Sequence, residues 1–143
     1  MAEPKVECEL ADWGADRPAL ERIRRTVFVE EQQVPEKDEW DDEDSGSIHV
    51  LARLNRDPVG TGRMNPAGKI GRIAVLPRLR GQGIGTQILL LLLEEARRHG
   101  IREPFLHAQV QAVSFYETLG FSQRGDAFDE AGIPHVRMSL VLE

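Results

Sequence analysis

One segment constrains this chain more than any other. Lys69 to Leu76 reads as a strand, Arg80-Gly81-Gln82-Gly83-Ile84-Gly85 sets three glycines at alternate positions, and Thr86 to His99 has the apolar spacing of a mostly buried helix closed by Gly100. Glycine lets backbone N–H groups approach an anion closely, and a helix N-terminus carries roughly half a positive charge. Arg78 and Arg80 add two permanent cations beside the turn. In physical terms this is a pyrophosphate site. It is not a P-loop, because the turn runs on into Gly85-Thr86-Gln87 rather than Gly-Lys-Ser/Thr. Nor is it a dinucleotide fingerprint, since the third glycine falls at 85 and not 86. A purely structural helix entry would use the same glycines, so the turn alone leaves both readings open.

The rest of the chain supplies the layers around this unit. Val6 to Leu10 alternates as a first strand, and a helix is expected over 17–31, opened by Asp16-Arg17-Pro18 and stopped by Val34-Pro35. Strands are expected at 48–52 and 58–64, joined by the Asn55-Arg56-Asp57 turn, then at 105–109, 121–124 and 135–142. A short helix over 112–119 ends at Gly120. The order βαβββαβαββ predicts an α/β layer fold with one mixed sheet, and 143 residues suit a single domain over 1–143.

Composition excludes several classes. The longest apolar run, Ile88 to Leu93, is far below the ~20 residues of a membrane helix, so no membrane partner is expected. Met1 to Leu10 lacks the basic-then-apolar order of a leader, and Cys8 is the only cysteine, which together predict a cytoplasmic protein. A net charge of −6 argues against nucleic acid as a partner. That charge is uneven. Residues 30–44 hold nine acids against Lys37, whereas 69–102 hold seven bases against Glu94 and Glu95.

At this point the sequence resembles the GCN5-related N-acetyltransferase (GNAT) superfamily. Arg80 to Gly85 matches its Arg/Gln-x-x-Gly-x-Gly/Ala signature after an apolar strand, and Ser114-Phe115-Tyr116-Glu117-Thr118-Leu119-Gly120-Phe121 is similar to its second cofactor-side motif. Arg25 to Gln32 and Gly132-Ile133-Pro134-His135 further resemble the ElaA-like branch. The resemblance implies the GNAT fold, a mixed and mostly antiparallel sheet flanked by helices. It also implies acetyl-CoA as co-substrate and direct transfer to a small-molecule or peptide amine acceptor. Ile73, Ala74 and Val75 would offer backbone groups to the pantetheine and thioester; Gln82 to Thr86, with Arg80, Gly81, Gly83, Ile84 and Gly85, would hold the pyrophosphate. Ser114 stands where many members carry a cofactor-contacting Asn. A non-catalytic acyl-CoA-binding module on the same fold is the alternative.

Acetyl transfer needs a proton acceptor for the amine and a proton for the departing thiolate. Tyr116, the only tyrosine, matches the family's thiolate acid, and a phenol of pKa ~10 is comparable to an alkyl thiol. It would equally serve as a core aromatic beside Phe115 and Phe121. His135 is the leading candidate base, on its resemblance to the histidine of related glyphosate acetyltransferases; a strand-edge histidine bonded to its loop is the bland reading. Glu31, at the end of the first helix, is the second candidate, as base or as amine anchor, where a solvated helix-end glutamate is the ordinary reading.

The remaining signals are weaker. His49 and His107 sit in apolar strands as core imidazoles, with His107 able to border the cleft, and His99 simply closes a helix. No spacing of His, Cys or carboxylates suggests a metal; Asp41, Glu43, Ser45 and Gly46 imitate a calcium loop whose twelfth position is Ala52 instead of Glu. The acidic run is expected to be a solvated loop or, failing that, a surface that attracts a cationic acceptor. Val136 to Leu142 would pair across the edge of a homodimer.

Overall fold

A computed structural model describes residues 5–143; Met1 to Pro4, on which part of the leader reading rests, lie outside the described residues. Seven strands form one sheet: β1 (Val6–Ala11), β2 (Ile48–Leu54), β3 (Asp57–Met64), β4 (Lys69–Val75), β5 (Phe105–Gln109), β6 (Ser122–Glu130) and β7 (Ile133–Ser139). Their spatial order is β1-β2-β3-β4-β5-β7-β6. Every neighbouring pair is antiparallel except β4 with β5, so the sheet is mixed and mostly antiparallel, as the sequence predicts.

Two helical layers cover this sheet. On one face, α3 (Ile84–Arg98) buries Ile88, Leu89 and Leu92 completely, with Val50, Met64, Ile70, Leu106 and Met138 in the same core. Each such side chain contributes about 1.5–3 kcal/mol on leaving water. Gly60 and Gly62 permit the close approach: a Cβ on Gly62 would stand 2.5 Å from the Ile88 side chain. A separate core gathers Leu20, Ile23 and Val27 from the first helical stretch with Leu51 and Ala74. Leu51 alternates with Val50 and Ala52 along β2, as a strand buried on both faces requires.

The first helical stretch departs from the expected 17–31 helix. It starts earlier as α1 (Trp13–Arg24), because the Asp12 carboxylate caps it by accepting the Ala15 N–H at 2.9 Å. It then widens into a π-helix, Arg25–Glu31. The last hairpin also differs. β6 runs to Glu130 instead of stopping near 124, since Gly125, at φ 82°, absorbs a register shift and pairing resumes at Phe128↔His135. Ala131 and Gly132, both with positive φ, make the two-residue turn into β7. β7 therefore lies inside the sheet between β5 and β6, and the expectation that it pairs across a dimer edge is corrected: among the described residues the edge strands are β1 and β6. No helix among the described residues is long and apolar enough to cross a membrane.

Candidate active site

The site begins where the sheet comes apart. β4 and β5 pair at Lys69↔Phe105 and Ile70↔Leu106, and there the ladder stops. Just beyond, Arg72 takes φ 53°, a left-handed backbone uncommon for a residue with a side chain, and the β3–β4 register slips between Thr61 and Arg63. The Thr61 hydroxyl donates to the Arg72 carbonyl at 3.0 Å. A bulge of this kind turns β4 away from its neighbour, so residues 73–75 have no ladder partner on β5.

The glycine turn follows the parted strand. Gly81 and Gly83 have φ near 79° and 83°, and nothing lies within 4 Å of where their Cβ atoms would be. Gly83 starts α3 without a capping side chain, and the first helical bond runs from Gln87 N–H to Gly83 O at 3.1 Å. The N–H groups of Ile84, Gly85 and Thr86 consequently have no partner within the helix. Open donors with clear space above them fit a pyrophosphate. Ser114 is exposed on α4 (Val113–Thr118), and no side-chain hydrogen bond among the described residues engages it.

Arg80 is engaged elsewhere. Its Nη1 and Nη2 each donate to a Glu31 carboxylate oxygen at 2.6 Å, and its Nε donates to Val75 O at 3.0 Å. The Arg80 hydrogen bond, opposed by slight burial and helped by its charge, holds the Glu31 carboxyl below its ordinary range. A clasped, ionised carboxylate is a poor base, and Glu31 does not line the cleft. Its position counts against the catalytic role expected of it.

An open cleft of about 490 Å³ lies between the parted strands. Gly71, Arg72 and Ile73 of β4 face His107 and Gln109 of β5 across it, while Tyr116 from α4 and His135 and Glu130 from the β6–β7 hairpin complete the wall. The Tyr116 ring packs edge-on against Phe115 and Phe121, at 5.1 and 5.9 Å between centroids, so it is both core aromatic and cleft residue. Burial pushes its phenol above its ordinary value and keeps it protonated at neutral pH.

The His135 ring is held by its own turn. Nδ1 lies 2.7 Å from the Ile133 carbonyl, an oxygen that can only accept, so Nδ1 carries the hydrogen and Nε2 keeps a lone pair when the ring is neutral. Glu130 Oε2 stands 3.7 Å from that Nε2, and its other oxygen, Oε1, accepts from His107 Nδ1 at 2.9 Å. The sequence signal for Glu130 was present but unread. A two-residue turn at 131–132 puts Phe128 opposite His135 and Glu130 opposite Ile133, hence all four on one face.

The acidic run is a solvated loop only in part: most of its acids are exposed, but Glu39 and Asp44 are buried. It contains a short helix, α2 (Glu36–Glu39), and a 3₁₀ turn, Asp44–Gly46, and it is pinned by arginines from three other elements. Arg24, 1% exposed, bonds Glu39 at 2.8 Å and Asp44 at 2.7 Å. Arg63 binds Asp41 at 2.7 Å and Asp44 at 2.8 Å, and Arg72 reaches Glu39 at 3.0 Å. The Arg63 hydrogen bond, against partial burial, draws Asp41 down to about 2. Burial dominates at Glu39 and raises it, whereas at Asp44 the two arginines outweigh burial and lower it. His49, as expected, is a core imidazole: Nε2 is 2.8 Å from Asp44 O, and the ring stacks on Trp13 at 4.8 Å. Burial lowers its proton affinity and keeps it neutral.

Comparison with known proteins agrees with this geometry. The family model described as an acetyltransferase (GNAT) domain matches residues 16–142. Protein YyaT of Bacillus subtilis is 40% identical over 131 residues, 87% of this chain and 88% of its own length. The N-acetyltransferase YjcF of the same organism is 38% identical, covering 81% of this chain and 86% of its own. Protein ElaA of Escherichia coli is 33% identical over 85% of this chain and 84% of its own. The ElaA crystal structure superposes with a TM-score of 0.85, covering 95% of this chain and 99% of that one. The chain belongs to the GNAT acetyltransferases, in the ElaA-like branch, and is an acyltransferase.

Proposed function

We propose that this protein transfers an acetyl group from acetyl-CoA directly to the amine of a small molecule or peptide. The observation that carries the reading is the parting of β4 from β5 between an open glycine cradle and a cleft shared by Tyr116 and His135. Acetyl-CoA supplies the activated thioester when bound. The N–H groups of Ile84, Gly85 and Thr86 suit its pyrophosphate, and residues 73–75, which have no ladder partner on β5, suit the pantetheine arm and the thioester carbonyl.

His135 Nε2 takes one proton from the acceptor's ammonium and so frees the nitrogen lone pair for bond formation. The Tyr116 hydroxyl gives its proton to the sulfur as the carbon–sulfur bond breaks. The second nitrogen proton restores the phenol, and the imidazolium discharges its proton to solvent, so the nitrogen loses two protons and the thiol gains one. Glu31 takes no part in this scheme.

The test is thiol release from acetyl-CoA with a panel of small amines, polyamines, amino acids and peptides. Turnover with any class supports the reading and identifies the acceptor. Saturable acetyl-CoA binding with no thiol release across the panel would replace it with the acyl-CoA-binding module, and absence of binding would remove both.

A further inference from the structure

His107, Glu130 and His135 come from three different strands, yet they form one connected unit in the cleft. Glu130 Oε1 is 2.9 Å from His107 Nδ1, and Glu130 Oε2 is 3.7 Å from His135 Nε2. Phe128, opposite His135 on the hairpin, packs against both imidazoles, edge-on to His107 at 5.0 Å and nearly parallel to His135 at 6.2 Å. Among the described residues Glu130 is the one carboxylate with an oxygen within 4 Å of a nitrogen of either ring. The His135 side chain is 10% exposed, so a proton gained there has little water to stabilise it.

The geometry points to Glu130 as a positioning residue that holds the proton which His135 takes from the acceptor amine. This rests on the reading of His135 as the base. Neutral His135 presents its Nε2 lone pair to the cleft with the carboxylate too distant to bond; once Nε2 is protonated, that same atom becomes a donor facing Glu130 Oε2. His107, by donating from Nδ1, fixes the carboxylate in place and prevents it from swinging into solvent. No bond other than N–H changes: the proton leaves the acceptor nitrogen, resides on Nε2 beside Glu130, and departs to water.

Other charged groups face this unit. Lys69 of β4 is close enough, with both histidines, to act on the carboxylate. Arg72 lines the same cleft from β4, and Tyr116 from α4. Partial burial pushes the Glu130 carboxyl up, but the His107 hydrogen bond and the charges of His107, His135 and Lys69 prevail and bring it below its ordinary value. It is ionised wherever an imidazole needs it.

The experiment compares the full chain with Glu130→Gln, which keeps the shape and removes the charge, and with Glu130→Asp, which keeps the charge. Imidazole NMR titration without acetyl-CoA follows His135 directly, and pH–rate profiles follow it in turnover. In Glu130→Gln both the His135 titration and the rising limb of the rate profile are expected to move to lower pH, by roughly tenfold in proton concentration. Glu130→Asp should restore most of that displacement. A His135 titration unchanged in folded Glu130→Gln overturns the inference. Because that titration needs no substrate, it stands apart from thiol release: a wild-type chain that releases no thiol overturns the acetyl-transfer reading instead.

Discussion

Tyr116 makes two contributions that one substitution separates. Its ring seals α4 against Phe121, while its hydroxyl accepts or donates no bond among the described side chains. Tyr116→Phe keeps the packing and deletes only the acid. Stability should change by less than about 0.5 kcal/mol, the scale of a substitution that breaks no buried network. Under the proposed function kcat should fall on the order of 10²-fold, the lower end for loss of general acid catalysis, with KM for acetyl-CoA little altered. Chemical denaturation and steady-state thiol release measure the two effects separately. Unchanged kcat, with chemistry limiting, would leave the ring a core aromatic alone. Glu130 shows the opposite case of residue-scale legibility. Glycines and the tyrosine are read from local motifs, but a carboxylate gains meaning only from partners at 107 and 135, and a hairpin turn must be recognised before those partners face it.

At the scale of elements the acidic arm carries the same lesson with larger energies. Nine acids in fifteen residues suggest repulsion and solvent, and local charge density contains nothing to contradict that. The contradiction comes from Arg24, Arg63 and Arg72, which lie on α1, β3 and β4 and are brought to the arm by the tertiary fold. Three guanidiniums then balance Glu39, Asp41 and Asp44 in a cluster that fastens α2 beside the cleft, with Asp38 and Glu39 among its lining residues. The arm is therefore a structural strap held through Glu39 and Asp44, which are buried, and Asp41, while its other acids stay exposed. Arg24 lies deepest, and cutting it to Ala leaves two buried carboxylates without their main donor. The expected cost is about 3–5 kcal/mol, as for other buried pairs broken on one side. Urea denaturation measures it; a loss below 1 kcal/mol would mean the cluster is already hydrated and the arm only loosely held. By contrast, α3 and its entry turn were legible in sequence because apolar period, glycines and preceding strand all act within thirty residues.

For the molecule as a whole, the decisive feature is how weakly the sheet is joined at its centre. β1–β4 with α1 form one part and β5–β7 with α4 the other; two ladder pairs, Lys69↔Phe105 and Ile70↔Leu106, connect them, supported by the apolar core beneath α3. A ligand lying in the opening would touch β4 on one side and β5 or α4 on the other, so its binding should couple the two parts. With 100-fold excess over Kd, a ligand specific to the native state adds about 2.7 kcal/mol. For a chain of this length that corresponds to a rise in Tm of roughly 8 °C. Acetyl-CoA should produce this rise and, in hydrogen exchange, protect amides of 73–75, the α3 entry and 106–109 together. ADP carries the pyrophosphate without the pantetheine arm. It should protect only the α3 entry and raise Tm less at the same saturation, if the arm is what spans the opening. Equal protection by both ligands would confine the binding energy to the glycine cradle and leave the parted strands to the acceptor alone. Net charge sharpens the comparison. At −6 the molecule repels a polyanion at long range, so whatever affinity acetyl-CoA shows must come from local donors and from the strands that the opening exposes.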